Sequence, residues 1–159
     1  MPTVELINHI NAPVHRCFDL SRSIDLHTLS TAQTGERAIA GVTSGLIGMG
    51  QTVTWRARHL GVWQTLTTSI TEYDQPRRFV DVMTSGVFKS FRHEHIFEES
   101  GNGTQIIDRF EYESPLGIIG RAADWIFLKS YMTKFLIERN QHLKLYAETD
   151  LWKQVLNVD

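Results

Sequence analysis

Cysteine is nearly missing: Cys17 is the only one in 159 residues. No disulfide can form within the chain, nothing argues for an oxidising compartment, and the cytoplasm is the expected location. Proline is scarce as well, at four residues. With no Pro/Ser-rich tract, low-complexity stretch or repeat to mark a linker, one domain is expected over residues 1–159. An excess of either charge is also lacking. Sixteen Lys and Arg against 18 Asp and Glu give a formal charge of −2, with the basic residues scattered, so no nucleic-acid surface is expected. No apolar run approaches the roughly 18 residues that suggest a bilayer span, and the opening MPTVELINHI has no basic stretch followed by an apolar one. Neither an integral membrane protein nor a secretion leader is expected.

What the chain does have is pattern. Its last long stretch, Leu116 to about Glu148, reads as one amphipathic helix. At about 100° per residue Ile118, Ala122, Trp125, Leu128, Met132, Phe135, Leu136, Leu143 and Tyr146 fall on one side. Asp124, Lys134, Glu138 and Gln141 fall elsewhere. Arg121 and Arg139 interrupt the stripe. A guanidinium buried there must be paired, so Arg139 is expected to meet Asp81 or Asp108. Ile119, Ile126 and Phe127 make the first turns apolar on every side; burial under the chain's own loops is the leading expectation, and a lid, a lipid surface, or a homodimer or partner contact is the alternative.

Upstream, Thr3 to Ile10 alternates as a strand, and Asn11 with Pro13 supplies the start of a short helix over Val14 to Leu20. Ser23 and Asp25 open a second helix to Gln33, ended by Gly35. Strand patterns follow at Arg37–Ala40, Gln51–Leu60, Val62–Tyr73, Arg77–Met83, Val87–Glu98 and Thr104–Tyr112, separated by short turns such as Gly101-Asn102-Gly103. Short turns imply an antiparallel meander. The sheet must bury one face against the long helix, which predicts an α+β two-layer fold of about seven strands.

Alternation places Val53, Trp55, Ala57 and His59 inward on one strand, and Phe79, Asp81 and Met83 on another. The next two strands contribute Phe91, His93, His95 and Phe97, then Ile106, Asp108, Phe110 and Tyr112. Asp81, His93, His95, Asp108 and Tyr112 facing Arg139 are too many polar groups for a dry core. A cavity that holds water or a ligand accounts for them.

The run from Gly86 to Gly120 carries G-V-F-K-S-F-R-H-E-H-I-F, then G-T-Q-I-I-D-R-F-E-Y, then P-L-G-I-I-G. With the element order, it makes the chain resemble the START-like, or SRPBCC, superfamily, in a bacterial branch labelled cyclase/dehydrase-like or cell-division-inhibitor-like. The resemblance covers nearly the whole chain. It implies a helix-grip fold, with a curved antiparallel sheet wrapped around the C-terminal helix, and a deep pocket between them for a small, mostly apolar molecule. Lipid carriers and polyketide cyclases share that fold, so activity must be argued from the site.

The expected ligand-binding set is Trp55, His59, Asp81, Phe91, His93, His95, Asp108, Tyr112, Met132, Phe135 and Arg139. Two tryptophans, Trp55 and Trp125, are candidates for stacking, although inward tryptophans are usually core. The leading expectation is binding of a small hydrophobic or aromatic ligand, lipid- or polyketide-like. The alternative is a cyclase or dehydratase in which Asp108 or Asp81 orients His93 as acid/base and Tyr112 donates to a carbonyl oxygen. His93 and His95, two apart on a strand, point the same way as zinc ligands can. A third ligand would have to come from His59 or Asp108, and the pair is read instead as hydrogen-bonded cavity histidines, with no metal or cofactor assigned. The glycine-rich Gly41–Gly50 leads into a strand without a Gly-Lys-Ser/Thr signature, so it is expected to be a loop at the cavity mouth, not a phosphate loop.

Overall fold

The computed structural model describes residues 1–115, 117–123 and 127–157. Leu116, Asp124, Trp125 and Ile126 of the expected closing helix lie outside the described residues, as does the side chain of Arg121.

The order of elements is β1 (Thr3–Ile10), α1 (Val14–Ser21), α2 (Ile24–Ser30), a 3₁₀ turn (Ala32–Thr34), β2 (Arg37–Gly41), β3 (Thr52–His59), β4 (Val62–Asp74), β5 (Arg78–Ser85), β6 (Ser90–Ser100), β7 (Gly103–Glu113), α3 (Gly117–Ala123), α4 (Lys129–Glu148) and α5 (Leu151–Leu156). The seven strands form one antiparallel sheet in the order β1-β7-β6-β5-β4-β3-β2. Every neighbour but one is also a neighbour in sequence. The exception is β1, which crosses to β7, with Leu6 opposite Asp108. This is the helix-grip α+β architecture: two short helices after the first strand, and a long C-terminal helix on one face of the sheet.

Local chemistry explains the joints. Ser23 caps α2 by accepting from the Leu26 N–H at 3.1 Å. Asn11 does not cap α1 as expected: Pro13 occupies the cap without a side-chain bond, and the Asn11 N–H instead donates to Glu148 at the end of α4, 2.9 Å away. The β3–β4 hairpin turns on Leu60 and Gly61, both at positive φ of 52° and 80°. A two-residue turn that follows the sheet's twist requires this backbone at both positions.

Two apolar clusters pack against the helices. The larger gathers Ile10, Phe18, Leu20, Phe79, Phe97, Ile106, Leu143 and Ala147, with Phe18 meeting Tyr73, Phe79 and Phe97 edge-on at 5.3–5.5 Å. The smaller joins Val4, Phe91, Phe110, Tyr112 and Leu136. Each fully buried Leu or Phe contributes about 1.5–3 kcal/mol. Along β6 and β7 these clusters are separated by one polar band, His93 and His95 beside Asp108.

Three expectations need correction. The closing stretch is described as α3, which ends at Ala123, and α4, which follows a π-helical turn at residues 127–128; residues 124–126 between them lie outside the described residues. Ile118 and Ile119 are 79% and 82% exposed, so Ile118 does not join the buried apolar stripe expected of it. Within α4 the buried line is Leu136, Asn140, Leu143 and Ala147, rotated from the expected stripe so that Asn140 and not Arg139 faces the sheet centre. The Gly41–Gly50 segment is pinned to α1 and α2, not poised over a cavity. The Ile24 N–H donates to the Gly45 carbonyl at 2.9 Å, the Gly45 N–H donates to Asp25 at 2.8 Å, and Ile47 is buried in the larger cluster.

Candidate functional site

A cavity of about 370 Å³ lies between the sheet and α4, within the range of small-molecule pockets. Strand parity builds its floor. Trp55, Ala57 and His59 come from β3, Leu66 and Thr68 from β4, Asp81 from β5, Phe91 and His93 from β6 and Phe110 from β7. Leu128, with Tyr131, Met132, Phe135, Leu136 and Arg139 of α4, forms the roof. Of the eleven expected ligand-binding residues, Trp55, His59, Asp81, Phe91, His93, Met132, Phe135 and Arg139 line this space. His95, Asp108 and Tyr112 do not. His95 and Asp108 stand behind His93, and Tyr112, fully buried in the smaller cluster, is not placed to donate to a molecule in the cavity.

The band behind the wall is a cross-strand lattice. Asp81 is opposite His93, and His95 is opposite Asp108. Nδ1 of His95 donates to Asp108 Oδ1 at 2.7 Å, and Asn140 Nδ2 donates to Asp108 Oδ2 at 2.7 Å. Nε2 of His93 is 3.2 Å from the same Oδ1 but is out of line for a hydrogen bond. His95 Nε2 is 3.8 Å from Asp81 Oδ2, also without a hydrogen bond. The Phe79 ring stacks on His95 at 4.3 Å.

Charge follows from this geometry. Burial pushes the Asp108 carboxyl up, but the close approach of His93 and the hydrogen bond and charge of His95 outweigh it and hold the group well below its ordinary value. For His95, burial favours the neutral ring, yet Asp108 and Asp81 reverse that and raise its pKa. His93 behaves oppositely: burial and the neighbouring His95 lower it to about 4 against the pull of Asp108 and Asp81. His93 is therefore a neutral imidazole at pH 7.

The expected pairing of Arg139 is not found. Its guanidinium lines the cavity and forms no ion pair with any described carboxylate. Asp108 is satisfied by His95 and Asn140, and Asp81 Oδ1 is buried with no hydrogen-bond partner among the described residues. Burial pushes the Asp81 carboxyl up, but His95 and His93, with a smaller contribution from Arg139, outweigh it and leave it lowered.

A second polar group at the β2–β3 side escaped the sequence reading. Glu36 is buried, 3.3 Å from Nε2 of His27, whose ring stacks on Trp55 at 4.1 Å. Burial pushes the Glu36 carboxyl up, while His27, Thr31 and His59 outweigh it and leave it lowered. Nδ1 of His59 and the Tyr131 hydroxyl are 2.7 Å apart, tying β3 to α4 across the cavity. Glu36 was findable: it has the parity of Ala38, which pairs with the inward Trp55. His27 and Tyr131 carried no local signal.

Across residues 1–148 the chain matches the family described as polyketide cyclase / dehydrase and lipid transport. The chain belongs to that family. This SRPBCC family is associated with binding hydrophobic ligands. A comparison with curated proteins returns no match. Among solved structures, this SRPBCC chain is similar to TTHA0849 from Thermus thermophilus, with a TM-score of 0.75 and 18% identity over 92% of this chain and 97% of that one. It is also similar to ginseng major latex-like protein 151 from Panax ginseng, with a TM-score of 0.69 and 13% identity over 93% and 98%. A third is CV1439 from Chromobacterium violaceum, with a TM-score of 0.69 and 12% identity over 94% and 100%. At these identities the likeness establishes the fold. No helix among the described residues is long and apolar enough to cross a membrane.

Proposed function

We propose that the chain binds one small, mostly apolar molecule between the sheet and α4, with its polar end oriented by Arg139, Asp81 and His93. The observation that carries this reading is an apolar-walled cavity of about 370 Å³ whose lining holds a guanidinium with no carboxylate partner among the described residues. Phe91, Phe110, Met132, Phe135 and Leu136 supply the apolar contact. Desolvating Arg139 without an anion or acceptor is unfavourable, so a guest with an acceptor at one end suits the site better than a pure hydrocarbon. Ligand binding is favoured over acid/base catalysis because His93 lines the cavity while Tyr112, the expected carbonyl donor, does not.

The test pairs native mass spectrometry of protein purified from its own cells with titration of the apolar fluorophore 8-anilinonaphthalene-1-sulfonate. Ala57 sits on the cavity floor and is 4% exposed, so Ala57→Phe projects a ring into the space. A co-purifying small molecule and 1:1 fluorophore binding in the parent, both lost in a folded Ala57→Phe, are expected. Equal fluorophore binding by parent and variant would place the probe elsewhere and overturn the reading.

A further inference from the structure

Three side chains in the cavity wall have more in common than polarity. Asp81, His93 and His95 each offer a ligand atom, and these atoms all lie within 4.8 Å of one another. Each residue also has a buried polar atom with no hydrogen-bond partner among the described residues: Asp81 Oδ1, His93 Nε2 and His95 Nε2. Both histidines are almost wholly buried, at 4% and 2% exposure. Unsatisfied buried nitrogens are uncommon in folded proteins, and three orphaned atoms on converging side chains need a shared explanation.

We propose that His93, His95 and Asp81 form a three-ligand site for a divalent transition-metal ion, with Asp108 as the outer carboxylate and the fourth position open to the cavity. The donor set of two imidazoles and one carboxylate suits zinc, cobalt or ferrous iron better than the all-oxygen preference of magnesium or calcium. Bonds of about 2.0–2.2 Å hold tetrahedral ligand atoms roughly 3.4 Å apart, so the three must draw inward by on the order of 1 Å. Asp81, with its side chain 21% exposed, has room to rotate.

The surroundings match what such a site needs. Nδ1–H of His95 donates to Asp108 at 2.7 Å, so that in the neutral ring the Nε2 lone pair faces Asp81. A carboxylate behind an imidazole fixes its tautomer and direction, as outer partners of metal-bound histidines do. Asn140 holds the other Asp108 oxygen at 2.7 Å, so the outer carboxylate is itself anchored to α4. With both imidazoles neutral, Asp81 and Asp108 against Arg139 leave a formal charge of −1 around the site, which favours a dication. The site does not depend on whether an apolar molecule fills the cavity. Asp81 and His93 line that space, so the open position would meet either water or a guest's oxygen.

Parent protein stripped with a chelator and titrated with Co²⁺ tests the proposal. One equivalent per chain should bind and produce visible d–d absorption bands of a four- or five-coordinate ion. Asp81→Asn and His93→Gln should each abolish those bands while circular dichroism stays unchanged, and Asp108→Asn should weaken binding about 10–100-fold. If these variants fail to fold, crystals of the parent grown with Co²⁺ decide through an anomalous peak among the three side chains. No binding, binding that survives Asp81→Asn with His93→Gln, or an anomalous peak only at surface histidines would each overturn the proposal. In that event a protonated His95 bridging Asp81 and Asp108 accounts for the cluster.

Discussion

The amide of Asn140 donates to the carboxylate of Asp108 at 2.7 Å, and that bond joins α4 to the middle of β7. Replacing Asn140 by Leu keeps the volume and removes the donor. The variant should lose about 1.5–3 kcal/mol, the usual range for a hydrogen bond to a buried charge. Urea denaturation followed by tryptophan fluorescence measures this. A loss under about 0.5 kcal/mol would mean that His95 alone satisfies Asp108.

Arg139, one residue earlier, should behave differently. It has no carboxylate partner among the described residues, so Arg139→Met should leave stability within about 0.5 kcal/mol of the parent. Its effect should fall on the guest. Affinity for an anionic amphiphile should drop roughly tenfold, the equivalent of about 1.4 kcal/mol, while a neutral apolar probe of the same size binds as before. Titrating both probes separates charge recognition from loss of packing.

The two histidines respond to acid in opposite senses. The folded value of His93 is lowered to about 4, below an unfolded value near 6.5. Its contribution to stability is therefore present above about 6.5 and lost as the pH falls towards 4. His95 is raised, so its contribution is complete below about 6.5 and disappears as the pH rises through its folded value. Denaturation of chelator-treated protein across pH 4–8 should show His93→Gln with a shallower acid-side slope than the parent. Identical slopes would place a water path to His93.

Strand parity was the most legible part of the molecule, because a buried face of period two leaves its mark residue by residue. Val53, Trp55, Ala57, Phe91, His93, His95, Asp108 and Phe110 all face inward as their alternation predicts. The helical face was harder to place. Arg139 and Asn140 differ by one position, about 100° of rotation, and hydrophobicity alone favoured a stripe through Phe135 and Tyr146. The buried line runs through Asn140 because a polar band in the sheet needs a donor there, which becomes visible only once Asp108 has neighbours. Glu36 and His27 belong to elements that alternation treats separately, and only the fold brings them beside Trp55.

The β3–β4 turn offers a prediction on backbone alone. Leu60 adopts φ of 52°, is 63% exposed and lines the cavity edge. Asn tolerates this conformation better than Leu, so Leu60→Asn should raise stability by about 0.5–1 kcal/mol. Thermal denaturation would register an increase in Tm. A decrease would show that the Leu60 side chain contributes more through contact than its backbone loses through strain.

The β1–β7 pairing has a consequence for synthesis. Thr3 sits opposite Glu111, so the first strand leaves the ribosome without its neighbour and waits while about a hundred residues are added, roughly 5–20 s at ordinary elongation rates. Until then an edge of unpaired amides, with Val4 and Leu6 on its apolar side, is open to other nascent chains. The seam that joins the first strand to the last is therefore also where a chaperone is most needed.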